Sequence, residues 1–214
     1  MCRLLYVNSK EKFLVADYLI RFAEISKNSK EYQGHGWGCA YLLNNEWKYY
    51  KNINPIWESD FSHFGSSTRL IAHARSAFKD EGIVVENNMP FYDDKYIFVF
   101  NGELRGVKIK EEGKIGAEKI FNYIKRFNKG NIKDAVEKGT EIIQKKSNYI
   151  RAMNIILSDW RASYVYSHFN EDKDYFTMYA KLSDALIIVC SEPFYGERDW
   201  LPIQNNSLME LKCF

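Results

Sequence analysis

The chain is poor in most of what would mark it for a special environment. Its four cysteines, Cys2, Cys39, Cys190 and Cys213, never fall in CxxC spacing, which excludes a zinc ribbon and a thioredoxin-like redox pair. Four in 214 residues is also too sparse for a disulfide scaffold. No apolar run approaches the roughly 18 residues of a membrane-spanning helix, and no basic-then-apolar leader precedes Cys2. Prolines number only four, and linker, low-complexity and repeat segments are missing, so a single domain over residues 1–214 is expected. Charge of one sign is lacking too. Thirty Lys and Arg against 28 Asp and Glu leave +2, too little to draw nucleic acid or an anionic membrane. Lys108, Lys110 and Lys114 are interleaved with Glu111 and Glu112, as on a solvated face. These absences suggest a cytoplasmic protein with reduced thiols, no metal, no cofactor, and no nucleic-acid or membrane partner.

What is present is a packed interior. Hydrophobic residues make up 46% and aromatics 16% of the chain, which suits a globular fold. Strand-like runs are read at Arg3 to Val7, Trp37 to Leu43, Glu46 to Lys51, Leu70 to Arg75 and Tyr96 to Phe100. Helical spacing appears at Val15 to Ile25, Gly116 to Phe127 and Asn131 to Lys145. Strands return at Met153 to Leu157, Ser163 to His168, Tyr175 to Ala180 and Ala185 to Cys190. Strands, then helices, then strands suggest an α+β architecture with antiparallel sheets rather than repeated βαβ units.

Cys2 is the most informative single residue. Removal of Met1, which is usual before a small side chain, would give the chain a thiol and a free α-amine on one residue. The amine titrates near ~7.7–8.0 and is a usable base at neutral pH; the thiol is a strong nucleophile. The plain reading is a small core residue in the first strand.

Four other segments bear on that choice. Gly34-His35-Gly36-Trp37-Gly38 is either a tight turn into a strand or backbone that approaches another group closely. Arg75 ends an apolar strand and offers a rigid fork for a carboxylate, or a structural ion pair. His73 shares its face, two residues earlier. Asn101-Gly102 is either a plain β-turn or an oxyanion hole built from the Asn101 amide and the Gly102 N–H. Asn87 to Phe91 reads as an exposed loop stiffened by Pro90.

In order along the chain, Met1-Cys2, His35-Gly36-Trp37-Gly38, Ala72-His73-Ala74-Arg75, Pro90-Phe91 and Asn101-Gly102-Glu103-Leu104 resemble the class-II glutamine amidotransferases of the N-terminal nucleophile (Ntn) hydrolases. The likeness is to their stand-alone, glutaminase-like and γ-glutamyl hydrolase-like members. Leu157-Ser158-Asp159 and Cys190-Ser191-Glu192-Pro193 extend it. The resemblance implies a four-layer αββα sandwich with two mostly antiparallel sheets. It implies Cys2 as nucleophile with its α-amine as base, Asn101 and Gly102 as oxyanion hole, and Arg75, His73, Trp37 and Glu118 around a small γ-glutamyl amide. It also implies a synthase partner fed with ammonia, or a homo-oligomer, as alternatives to a free-standing hydrolase. Three positions depart from the pattern: Phe78 for a Thr, Met89 for a His, and Gly116 for the Asp expected to bind the substrate amine. Those departures favour a non-glutamine amide, or a binding protein that no longer turns substrate over.

Overall fold

The computed structural model describes residues 1–214, the side chain of Asp80 excepted. Its strands are β1 (Arg3–Leu14), β2 (Trp37–Leu43), β3 (Glu46–Asn52), β4 (Ser66–Ala74), β5 (Phe91–Tyr92), β6 (Ile97–Arg105), β7 (Tyr149–Ser158), β8 (Ala162–Ser167), β9 (Tyr179–Leu182), β10 (Leu186–Cys190), β11 (Leu201–Pro202) and β12 (Ser207–Lys212). The helices are α1 (Val15–Lys27), α2 (Gly116–Lys125), α3 (Ile132–Lys146) and the single turn α4 (Lys173–Phe176). One sheet runs β11-β9-β10-β1-β4-β2-β3 and the other β12-β8-β7-β6-β5. Neighbouring strands are antiparallel throughout.

Alternation along β1 builds the layers. Leu5 and Val7 join Val15, Leu19, Phe22 and Ile25 of α1 in one apolar cluster. Leu4 and Tyr6, on the opposite face, pack with Phe98, Val99 and Ile156 of the second sheet. Ile120, Phe121 and Ile124 of α2 and Ala135, Val136 and Ile143 of α3 cover that second sheet. Phe98 stacks on Phe121 at 5.1 Å between ring centroids, worth roughly 0.5–1.5 kcal/mol beyond area burial. The result is the α+β, helix–sheet–sheet–helix arrangement anticipated from the sequence. Asn131 caps α3 by accepting from the Lys133 N–H at 3.0 Å, which removes one of the unpaired donors of the first turn.

Three readings change. The run Tyr175 to Ala180 is not one strand: Tyr175 and Phe176 close α4, and β9 begins at Tyr179. Asp172 adopts a left-handed conformation, and its carbonyl accepts from both Tyr175 and Phe176, which winds the chain before pairing resumes. The segment Asn87 to Phe91 is not an exposed loop. Asn88 is fully buried and Met89 is 3% exposed, because the Asn88 amide donates to the Asn52 carbonyl at 2.8 Å and Phe91 pairs with Phe98. Finally, β1 runs on to Leu14 through a polar, largely exposed second half that carries little apolar signal.

Candidate functional site

Cys2 immediately precedes β1, and the start of that strand is fastened from the far end of the sequence. The Leu4 N–H donates to Ser191 Oγ at 2.8 Å, and the Ser191 N–H returns to the Leu4 carbonyl at 3.0 Å. Arg3 pairs with Glu192 at 2.9 Å and lies 4.3 Å over the Tyr175 ring. The Cys190-Ser191-Glu192 segment therefore fixes the direction in which Cys2 emerges. Its Sγ sits 3.7 Å from the Ser76 carbonyl. Burial pushes the thiol up from its ordinary range, while the terminal ammonium, the Ser76 contact and the Arg75 charge work the other way.

The Gly34–Gly38 segment frames the Arg75 backbone. The Arg75 N–H donates to the Gly36 carbonyl at 2.8 Å, and the His35 N–H to the Arg75 carbonyl at 3.1 Å. His35 Nδ1 accepts from the Ala77 N–H at 2.9 Å. Gly36 has φ +101°, and a Cβ there would stand 2.1 Å from Asn88 Nδ2 and 2.7 Å from the Asn52 carbonyl, so no side chain fits.

Cys2, Arg75 and Gly102 line one cleft of about 740 Å³. Arg75 is 6% exposed, and its Nη1 has no hydrogen-bond partner among the described residues. A buried guanidinium with a free donor is suited to an anionic ligand. Gly102 of β6 lines the cleft, and a Cβ there would lie 2.2 Å from the Ala152 carbonyl of β7. Its neighbour Asn101 is 1% exposed, lies outside the cleft lining, and leaves both amide atoms unpartnered.

The remaining expected site residues lie elsewhere. Trp37 is fully buried, donates to Ser59 Oγ at 2.8 Å, and belongs to the apolar layer under α1 rather than to the cleft wall. Glu118 accepts from the Lys114 N–H and also lies outside the lining. His73 is completely buried with neither ring nitrogen well bonded. Burial, with the Arg75 and Lys51 charges adding to it, pushes its pKa down to about 3.

His73 therefore ties stability to pH. Its folded pKa lies below the unfolded value near ~6.5, so the unfolded chain takes the proton first as pH falls. The stability is intact above that value and is lost between it and the folded pKa, with a slope of about 1.4 kcal/mol per pH unit. In His73→Gln that contribution vanishes, so its urea-unfolding free energy falls less steeply than the parent's between pH 6 and 4. Parallel curves would rule this out.

The residues that converge on the terminus were not foreseen. The Met1 amine pairs with Glu31, which also takes Arg151 at 2.9 Å; Arg151 reaches Asp172 and, at 3.6 Å, Glu103. Burial alone would raise the Glu31 carboxyl, but its hydrogen bond to the amine and the charges of the amine and Arg151 hold it low. The Met1 carbonyl accepts from Tyr175 Oη at 2.7 Å and from Gln33 Nε2. Gln33 is fully buried, and its Oε1 has no partner among the described residues. These side chains come from four separate stretches, and no local motif announces their meeting. No group of three His, Cys, Asp or Glu among the described residues is placed to hold a metal. Nor is any described helix long and apolar enough to cross a membrane.

The fold defined above is that of class-II glutamine amidotransferase structures. Glutamine phosphoribosylpyrophosphate amidotransferase from B. subtilis superposes with a TM-score of 0.63 at 15% identity, over 89% of this chain and 42% of that one. This chain thus spans less than half the length of that enzyme. A predicted glutamine amidotransferase from Pseudomonas aeruginosa PA01 gives 0.60 at 14% identity, over 99% and 97%. A glutamine aminotransferase class-II domain protein from Silicibacter pomeroyi gives 0.59 at 16%, over 99% of each chain. No family model matches the sequence, and no curated protein sequence does. At these identities the likeness is one of fold.

Proposed function

We propose that the chain, once Met1 is removed, is a cysteine-nucleophile amidohydrolase acting on the side-chain amide of glutamine or a related γ-glutamyl amide. The observation that carries this reading is the meeting of Cys2 and the free guanidinium edge of Arg75 in one cleft. Arg75 would hold the substrate carboxylate, placing the amide carbon near the thiol. The neutral α-amine of Cys2 takes the thiol proton, and the sulfur attacks the carbonyl carbon. The oxyanion would be received by the Gly102 N–H, which lines the cleft, and by the Asn101 amide on turning in from outside the lining. The amine returns its proton to the leaving nitrogen, the C–N bond breaks, and ammonia departs from a thioester. Water, deprotonated by the same amine, then cleaves the C–S bond and regenerates the thiol.

Gln33 and Tyr175 support the amine's part in this. With the Met1 residue gone, Tyr175 Oη and the unpartnered Gln33 Oε1 would accept from the N–H groups of the new α-amine and orient its lone pair. Delivery of the ammonia to a synthase is a narrower form of the same proposal; glutaminase activity that rises on adding a co-purifying synthase would support it. A second reading, a ligand-binding protein without turnover, is favoured by Phe78 and Met89 on the cleft wall and by Gly116 at the start of α2, the three positions that depart from the pattern of the amidotransferases.

Intact-mass analysis after exposure to a diazoketone analogue of glutamine separates the two. The expected result is a chain lacking Met1 with one stoichiometric adduct on Cys2. Cys39 and Cys190 stay unlabelled because both are fully buried and neither lines the cleft. A chain confirmed to begin at Cys2 that takes no adduct rejects the hydrolase.

A further inference from the structure

The cleft around Cys2 is larger and greasier than free glutamine requires. Beyond Arg75 its wall is made by Met89, Phe100, Leu104, Val107, Ile109 and Ile120, all of them within or packed against the main apolar core. The charges on the wall are unevenly committed. With Met1 removed, the lining carboxylates Glu31 and Glu103 still share Arg151, at 2.9 and 3.6 Å, Glu103 also keeps Arg105, and Glu81 is exposed at the rim. Arg75, by contrast, keeps a buried donor with no partner among the described residues. The N-terminus of α2 also opens on the cleft through Ile115, Gly116 and Ala117, with no side chain capping it. The wall thus offers a place for one carboxylate and for apolar bulk, and, among the described residues, no uncommitted buried anion for an ammonium.

We propose that the acyl half of the substrate is a glutamine-type amide whose α-nitrogen is acylated: one carboxylate, no ammonium, and an apolar tail lying along the β6–α2 wall. This rests on the amidohydrolase reading for the reaction, but the ligand preference itself is a matter of binding. Each methylene buried against such a wall is worth about fourfold in affinity.

The experiment compares glutamine with N-hexanoyl-glutamine. Turnover is measured by ammonia release from the chain beginning at Cys2, and binding by calorimetry on Cys2→Ala. The hexanoyl amide is expected to show a kcat/KM and an affinity about tenfold or more above those of glutamine. Gly116→Asp supplies the missing anion at a position where an added Cβ meets nothing within 4 Å. It is expected to narrow or reverse the ratio. Equal or better use of glutamine by the parent chain, or binding of neither compound, overturns the proposal. Tight binding of the hexanoyl amide with no ammonia released keeps it and rejects the hydrolase instead.

Discussion

Cys2→Ala is expected to leave no measurable amide hydrolysis, and a chain that keeps Met1 to lose about 10²–10⁴-fold with its thiol intact. The two losses have different causes. Alanine removes the atom that bonds the substrate carbon. A retained Met1 turns the α-amine of Cys2 into a peptide nitrogen, which has no basic lone pair. The thiol cannot compensate by ionising alone, because burial raises its pKa in spite of the nearby ammonium and Arg75. A base is therefore required, and the α-amine, titrating near ~7.7–8.0, is the one the chemistry supplies. The rate at subsaturating substrate should accordingly rise with pH through that range and level off above it. Steady-state assays on the processed chain, the Met1-retaining chain and Cys2→Ala make the comparison. Undiminished turnover by protein shown by mass to carry Met1 would dismiss the amine as base.

The parts of the fold that could be read from sequence are those in which local pattern and tertiary burial agree. In β2, β3 and the first half of β1, strand-forming residues sit where strands pair; in α1 and α3 the apolar stripe meets a sheet. Reading failed where a neighbour remote in sequence decides. Met89 looks like loop and is buried because Asn88 is tied to β3. Tyr175 looks like strand and is turned into α4 by the conformation of Asp172. The ends β11 and β12 are short or polar and exist by pairing with β9 and β8. At the site, Cys2, Arg75 and Gly102 were each singled out in the sequence, and the fold brings the three to one cleft. Trp37, expected beside the ligand from the resemblance alone, has its ring in the layer under α1. Glu31, Gln33, Arg151 and Tyr175 carry no signal until the fold gathers them round the terminus.

Asn101→Leu is expected to lower kcat by about 10²–10³ while KM changes little and stability holds or rises. The combination follows from the resting structure. The Asn101 amide is 1% exposed with neither its nitrogen nor its oxygen hydrogen-bonded, whereas its strand partner Asn154 is satisfied, donating to the Phe176 carbonyl at 2.7 Å. An unsatisfied buried amide costs stability, and leucine of similar shape removes that cost without breaking any bond. A merely structural Asn101 would thus show no kinetic penalty. If instead its amide receives the oxyanion, the donor is used only when charge develops, so kcat falls and ground-state binding at Arg75 is spared. Gly102 cannot serve for the same test, because any side chain would collide with the Ala152 carbonyl and force β6 from β7. Thermal unfolding together with steady-state kinetics on Asn101→Leu decides the matter: an unchanged kcat removes Asn101 from the oxyanion hole, and a fall in kcat beside an undiminished Tm places it there.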